Sequence, residues 1–325
     1  MVKPSSYSII DYGDMIDCEP RMSIYAEALK RAVTPGCTVF DIGAGFGVFA
    51  LLACKYGAGR VVAIEPDASA ELIMPMAKAN GCADTITVVR GLSTDFSPET
   101  KADVIISDIR GTVPFYENHI ETIVDARERL LKPGGAQLPL RDTIRLAVVH
   151  SPRDYRLCER PWNANEYALD LTLAREFAVN SHRRTHLGED ALLSEPADLL
   201  VLDYRTITHP DCDSVTELVA TKAGVAHGLL QWFDAEIAEG LGFSNGPGHS
   251  ELVYGQSFLP FETPVTLRVG DRVSVRIRGM HANGNYVWSW KCTVIDGQSG
   301  ETRHAFNQST FKGQVIANKP FGSGA

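Results

Sequence analysis

The chain has 325 residues, 44% of them hydrophobic and 22% charged, a balance that excludes a disordered or collagen-like chain. It carries 31 Lys plus Arg against 40 Asp plus Glu, a formal charge of −9, which argues against nucleic acid as the main partner and suits a cationic one. No apolar run reaches the roughly 18 residues of a bilayer span, and Met1 to Tyr7 lacks the apolar stretch of a signal peptide, so no membrane association is expected. The seven cysteines (Cys18, Cys37, Cys54, Cys82, Cys158, Cys212 and Cys292) are scattered without CxxC spacing. Reduced thiols in a cytoplasmic protein, with no metal site, are therefore expected.

In chain order, residues 39–43 read as a buried strand, 46–56 as a helix closed by Gly57-Ala58-Gly59, and 60–65 as the next strand. A second helix is expected over 68–80, strained at Pro75. Strands over 86–89 and 104–108 and a helix over 117–131 complete an alternation that marks a parallel α/β sheet. Beyond Arg141 the segments shorten and alternate, as in 143–149, 265–269, 273–277 and 286–294, predicting an antiparallel sandwich or barrel. A helical insertion is expected over 155–178, either an oligomerisation arm or a packed lid. Trp288 and Trp290 alternate like a strand, so with Trp232 they read as barrel wall rather than a binding surface. His227, His249, His281 and His304 are scattered and read as structural, although His249 stands close enough in sequence to the Tyr254 segment to approach a substrate.

The sharpest signal is Asp41-Ile42-Gly43-Ala44-Gly45-Phe46-Gly47 at a strand-to-helix turn. Glycines let the backbone approach a ligand, and the helix N-terminus offers unpaired N–H groups. Glu65 ends the following strand, where a carboxylate can take two ribose hydroxyls. A dinucleotide fingerprint wants glycine or alanine where Val48 stands, and a pyrophosphate would be repelled by Asp41. The sulfonium and ammonium of S-adenosylmethionine would be attracted by it, so charge favours that cofactor. The turn resembles the first motif, D-x-G-x-G, of class I S-adenosylmethionine-dependent methyltransferases. The resemblance implies Asp41, Gly43 and Gly45 around the methionine portion, Glu65 on the ribose, and adenine near Leu92, Ser93 and Thr94.

Two carboxylates follow the fourth strand: Asp108 at its C-terminal end and Glu117 at the start of the next helix. Beside a sulfonium methyl donor such a pair can bind a metal, exchange protons or clamp a cation. No His/Cys cluster accompanies them, which disfavours a metal. A guanidinium offers a planar fork of donors to two carboxylates, and its delocalised charge makes it a poor nucleophile that alignment helps most. The loop S-D-I-R-G-T-V-P-F-Y-E-N resembles the double-glutamate loop S-E-x-x-G-x-x-x-x-Y-E-S of protein arginine methyltransferases, with Asp108 and Glu117 on the two glutamates and Gly111 and Tyr116 matching. Met15-Ile16-Asp17-Cys18-Glu19-Pro20-Arg21 is similar to that family's M-x-x-D-x-x-R segment. It implies Arg21 on the cofactor carboxylate, Met15 near the transferred methyl, and Tyr12 or Tyr7 closing over the cofactor.

The resemblance covers most of the chain. It implies an N-terminal helical segment (1–36), a Rossmann-like cofactor domain (37–140), and a β-barrel-like substrate domain (141–325) with a helical dimerisation arm at about 155–190, hence a homodimer. By spacing, the family's T-H-W loop falls on Leu252-Val253-Tyr254, so its histidine is absent, and Cys18 replaces the aspartate that would pair with it. Arg110 adds a positive charge to a loop meant for a cation; it either pairs with a substrate carboxylate, as free arginine carries, or turns outward or bridges Asp108. With Tyr12, Tyr116 and Tyr254 it makes up the expected substrate contacts. Three functions remain open: N-methylation of an arginine guanidino group, free or peptidyl; N- or O-methylation of another small metabolite or natural-product intermediate; and a non-catalytic scaffold of the same fold.

Overall fold

The computed structural model describes residues 7–314. Residues 1–6 and 315–325, the outer ends of the first and third expected regions, lie outside the described residues. Two helices open the chain, α1 (Ile9–Asp17) and α2 (Glu19–Ala32). Ser8 and Asp11 form a capping box at the start of α1. α2 buries Arg21, Tyr25, Ala28 and Leu29, a single helical face, between the helix over Val48–Lys55 and strands of the second half of the chain.

Next in the chain come β1 (Thr38–Ile42), α3 (Val48–Lys55), β2 (Arg60–Glu65), α4 (Ile73–Ala79), β3 (Ile86–Arg90), β4 (Ala102–Ser107), α5 (His119–Asp125) and β5 (Leu131–Leu138). The five strands form one parallel sheet in the order β3-β2-β1-β4-β5. β1 and β2 are buried nearly throughout, as strands covered on both faces must be. The order reverses between β1 and β4, where Ile42 stands opposite Ser107. The crevice beyond their C-terminal ends is where open α/β sheets bind ligands, and it receives both the glycine turn and the Asp108 loop.

Some local expectations are corrected. The helix expected over 68–80 is a 3-10 turn (Ala68–Leu72) followed by α4, which puts Pro75 in the first turn of a new helix, where its missing N–H costs nothing. The helix expected over 117–131 is α5 plus a π-type turn (Ala126–Leu130), and Lys132-Pro133-Gly134-Gly135, expected to close a helix, lies inside β5. Cys54 and Cys82 are joined by a disulfide between the end of α3 and the segment after α4, so the thiols are not all reduced as expected.

The second half holds β6 (Arg141–Val149), α6 (Pro152–Asn163), α7 (Thr172–Ala178), β7 (Arg183–Thr185), β8 (Ala197–Asp203), β9 (Cys212–Val219), β10 (Gly224–Ala238), β11 (Leu241–Ser244), β12 (Gln256–Leu267), β13 (Arg272–Ala282), β14 (Asn285–Ile295), β15 (Thr302–Ser309) and α8 (Thr310–Gln314). They make two antiparallel sheets, β7-β12-β10-β6-β8 with β11 on β10, and β15-β14-β13-β9, which together form a barrel-like body. Val273, Val275 and Ile277 alternate with more exposed neighbours, and Trp232, Trp288 and Trp290 are buried in its wall. The arm is two helices separated by an irregular stretch over 164–171, and it leaves Leu157, Tyr167, Leu169 and Leu173 exposed. One apolar cluster runs from α2 and the parallel sheet into the barrel. No helix among the described residues is long and apolar enough to cross a membrane, and none of their His, Cys, Asp or Glu side chains group as a metal site would require.

Candidate active site

The turn after β1 is held by backbone bonds from Gly43 and Ala44 to the Ile64 carbonyl, 3.0 and 3.2 Å long. Gly43, Gly45 and Gly47 have φ of 72°, 57° and 92°, the left-handed region that glycine tolerates. A Cβ on Gly43 would collide with Ile109 of the catalytic loop, and one on Gly45 would lie 2.8 Å from the ring of Tyr12. Tyr12 therefore lies over the turn, edge-on to Phe46 at 5.1 Å, with its hydroxyl on Ser69 at 3.2 Å. Glu65 accepts the Gly45 N–H at 2.7 Å and the Asp67 N–H at 2.8 Å. Ser93 is buried and Thr94 exposed in a 3-10 turn after β3, on the same side of the sheet.

Asp41 gives the turn its charge. One carboxylate oxygen accepts the Ala50 N–H at 2.9 Å; the other is buried with no partner. Burial, aided by the charge of Glu65, raises its pKa from 3.8 to about 7. A carboxylate oxygen left bare in this way fits a cationic ligand, as the sulfonium-bearing portion of S-adenosylmethionine would provide, and would repel a phosphate.

The second cluster lies beyond β4. Asp108 is nearly enclosed: Oδ2 accepts from Arg21 Nε at 2.7 Å and from the Tyr254 hydroxyl at 2.6 Å, and Oδ1 from Arg110 Nε at 3.2 Å. Burial opposes its ionisation, but Arg21 and then Arg110 override it and hold the carboxyl at about 2. Arg21 also donates to the Met15 carbonyl at 3.0 Å and stacks over Tyr25 and Phe49. Tyr254, the last residue of the segment on which the T-H-W loop falls, thus touches the loop carboxylate directly.

Glu117 is exposed and adopts φ 43°, the sharp end of the loop. Phe115 anchors that loop edge-on to Tyr286 and Trp288 at 5.5 and 5.4 Å, and Asn245 donates to the Thr112 carbonyl at 3.2 Å. Gly111 leaves room for the Tyr116 ring, which a Cβ would meet at 2.6 Å. Tyr116 is hydrogen-bonded to Tyr7, and partial burial with the charge of Glu117 raises its pKa to about 12. Burial, with the charges of Glu117 and Asp108 adding to it, raises the Tyr7 hydroxyl too.

Arg110 departs from the expectation of a substrate contact. Its guanidinium is fully enclosed and turned inward, with Nη1 on Asp142 at 2.7 Å and Nη2 on the Tyr25 hydroxyl, in addition to Asp108. It bridges Asp108 because a second buried carboxylate stands behind it. Asp142, Tyr25 and Tyr204 went unrecognised in the sequence. A signal for Asp142 was present: it falls in phase with Ile144, Leu146 and Val148, the inward residues of β6. His119 is buried against Tyr204 at 3.1 Å, and burial together with Arg110 lowers its pKa to about 3, so it is neutral. His249 is exposed between β11 and β12.

A parallel sheet with a glycine turn, an unpaired acidic residue and a carboxylate loop at its switch point is that of a class I methyltransferase. Residues 21–138 match the family model described as ribosomal protein L11 methyltransferase (PrmA), and residues 143–289 the arginine methyltransferase oligomerization subdomain. The arginine N(omega)-methyltransferase of Streptomyces achromogenes subsp. streptozoticus is 29% identical over 270 residues, 81% of this chain and 74% of that protein. The probable protein arginine N-methyltransferase 6 of Arabidopsis thaliana is 30% identical over 236 residues, 70% of this chain but only 54% of that protein. In fold, the chain is similar to the Trypanosoma brucei PRMT1 enzyme-prozyme heterotetrameric complex with AdoHcy, with a TM-score of 0.85 at 20% identity over 94% of this chain and 98% of that one. Over both halves the chain is similar to arginine methyltransferases, and these similarities support an S-adenosylmethionine-dependent methyltransferase.

Proposed function

We propose that the protein methylates a guanidino nitrogen of arginine, with free arginine or a similar small molecule as acceptor in preference to a protein tail. The observation that carries this reading is the meeting of the Asp108 loop with the glycine turn, where Ile109 packs against Gly43 and Glu117 stands exposed at the far end of the loop. The absence of the T-H-W histidine, the hydrogen-bonded Tyr7 and Tyr116 beside the loop, and the printed name of the Streptomyces relative all support a small acceptor.

When bound, S-adenosylmethionine supplies an electrophilic methyl group on a sulfonium. Asp41, Gly43 and Gly45 would hold its cationic portion, Glu65 the ribose, and Ser93 and Thr94 the base, with Met15 near the methyl and Tyr12 closing over the cofactor; Arg21, which pairs with Asp108 in this structure, would have to turn from it to reach the cofactor carboxylate. Glu117 accepts N–H bonds from the guanidinium and aligns one nitrogen for in-line attack. Asp108, held ionised by Arg21 and Arg110, supplies the second carboxylate of the loop. The proton lost from the methylated nitrogen passes to solvent at the exposed Glu117. Tyr116 and Tyr254 fix the loop. The match to the oligomerization subdomain and the exposed apolar arm support a homodimer. A second reading, another small amine or hydroxyl with Glu117 as general base, draws on the engagement of Asp108 by Arg21 and Arg110.

Mass spectrometry of the purified protein with S-adenosylmethionine, offered free arginine and an arginine-rich peptide in parallel, tests this. One methyl group gained by free arginine is the expected result; gain on the peptide alone overturns the small acceptor. Donor binding without gain on either leaves the second reading. Glu117→Gln is expected to lower turnover by about 10²–10³-fold while donor binding persists.

A further inference from the structure

Behind the Asp108 loop lies a buried polar chain that the reaction as described does not use. The Tyr204 hydroxyl donates to Asp142 Oδ2 at 2.5 Å and meets His119 Nε2 at 3.1 Å. Asp142 Oδ1 accepts from Arg110 Nη1 at 2.7 Å, and Arg110 Nε donates to Asp108 Oδ1 at 3.2 Å. The chain therefore starts in the barrel, at β6 and the residue after β8, and ends on the carboxylate of the sheet domain. The Arg110 guanidinium carbon sits 5.2 Å from the centroid of the Phe233 ring and 5.5 Å from that of Phe243, so water does not share in neutralising it.

Charge decides what this arrangement does. Arg21 and Arg110 bring two positive charges, Asp108 and Asp142 two negative ones, and the buried cluster is neutral. Without Asp142, two guanidinium groups would share the single carboxylate of Asp108. The cluster would then carry one positive charge in excess, which repels a cationic acceptor. The short bond runs to Asp142 and the long one to Asp108, so Arg110 belongs electrostatically to Asp142.

We propose that Asp142 is a positioning residue for the methyl acceptor: by neutralising and orienting Arg110, it keeps Asp108 available to an incoming guanidinium. The inference rests on the reading of Asp108 given under the proposed function. It also explains an arginine inside a loop that binds a cation: Arg110 is a strut between two carboxylates.

The test is equilibrium binding of L-arginine to the full chain, by calorimetry with S-adenosylhomocysteine present. Wild type, Asp142→Asn, Tyr204→Phe and the double variant Arg110→Met/Asp142→Asn are compared, with the melting temperature and S-adenosylhomocysteine affinity of each recorded. Asp142→Asn, nearly isosteric, is expected to weaken arginine binding about tenfold, the size of one charge-assisted bond, with cofactor affinity within twofold of wild type. Tyr204→Phe, which removes only the hydroxyl that steadies Asp142, is expected to weaken arginine in the same direction by a smaller factor. The double variant removes both charges and is expected to recover most of the lost affinity. A purely structural role would lower melting temperature and cofactor affinity in the single variants and give no recovery in the double. Arginine affinity unchanged in Asp142→Asn, or unrecovered in the double variant, overturns the inference. If wild type binds arginine but transfers no methyl to it, the proposed reaction fails while the binding comparison still decides the role of Asp142. If wild type binds no arginine at all, both fall.

Discussion

A carboxylic acid that titrates near neutrality makes Asp41 the residue with most to say about donor binding. Its raised pKa means that the folded chain holds an extra proton between pH 4 and 7, so its contribution to stability declines as pH rises through that window. A bound sulfonium favours the ionised form, and binding then expels the proton. Donor affinity is expected to rise with pH below neutrality, by up to about tenfold per unit, and to level off above pH 8. Titration calorimetry from pH 6 to 8 checks this, and Asp41→Asn is expected to bind weakly with no such slope. Asp41 was legible in the sequence because its partners are neighbours: the glycines, Ala50 and Glu65 fall within one strand-turn-helix-strand unit. Arg110 was not, because its orientation depends on Asp142, Tyr25 and Tyr204, which reach it from three other parts of the chain. Its sign was readable; the company it keeps was not.

Among the elements, the strand-turn-helix unit that ends in α3 shows how closely the cofactor and acceptor sides are built together. Gly43 supplies a left-handed φ of 72° and leaves space for Ile109, the residue after Asp108. Gly43→Ala is expected to cost about 1–2 kcal/mol for the backbone and about 1–3 kcal/mol more for overpacking against Ile109. Gly134→Ala has a similar φ of 76° but nothing nearby, and should cost the backbone part only. Denaturant midpoints of the two variants separate the contributions. The strands of the sheet were legible from their apolar runs, and the parallel class from the alternation. Helix ends were less so. Pro75 was read as a flaw in one helix, but a 3-10 turn before it resets the hydrogen bonding, so the proline begins a helix instead. The arm was similarly overextended: the helical insertion expected over 155–178 runs across 164–171, where Asn165 bonds its own backbone neighbours and breaks the helix.

For the molecule as a whole, the barrel is half of the active site. Phe115 packs into it, Asn245 holds the loop, and Asp142 and Tyr254 reach the loop carboxylate directly or through Arg110. That dependence between halves has no local signature, which is why the two-part architecture was readable but the contacts between its parts were not. The exposed apolar residues of the arm make a prediction at this scale: Leu169→Asp with Leu173→Asp should shift the protein from dimer to monomer in sedimentation, whereas a monomeric wild type would refute the arm as an interface. A last consequence follows from the N-terminal segment. Tyr12, within α1, covers the glycine turn, and Tyr7, five residues earlier, meets Tyr116 at the Asp108 loop, while α1 buries none of its own residues. One short segment thus lies over both the glycine turn and the loop. On the proposed reaction the spent donor leaves only when that roof lifts, and the same movement uncovers the methylated product. On that reading the acceptor is expected to leave after each methyl group, so that a second methyl requires a second encounter.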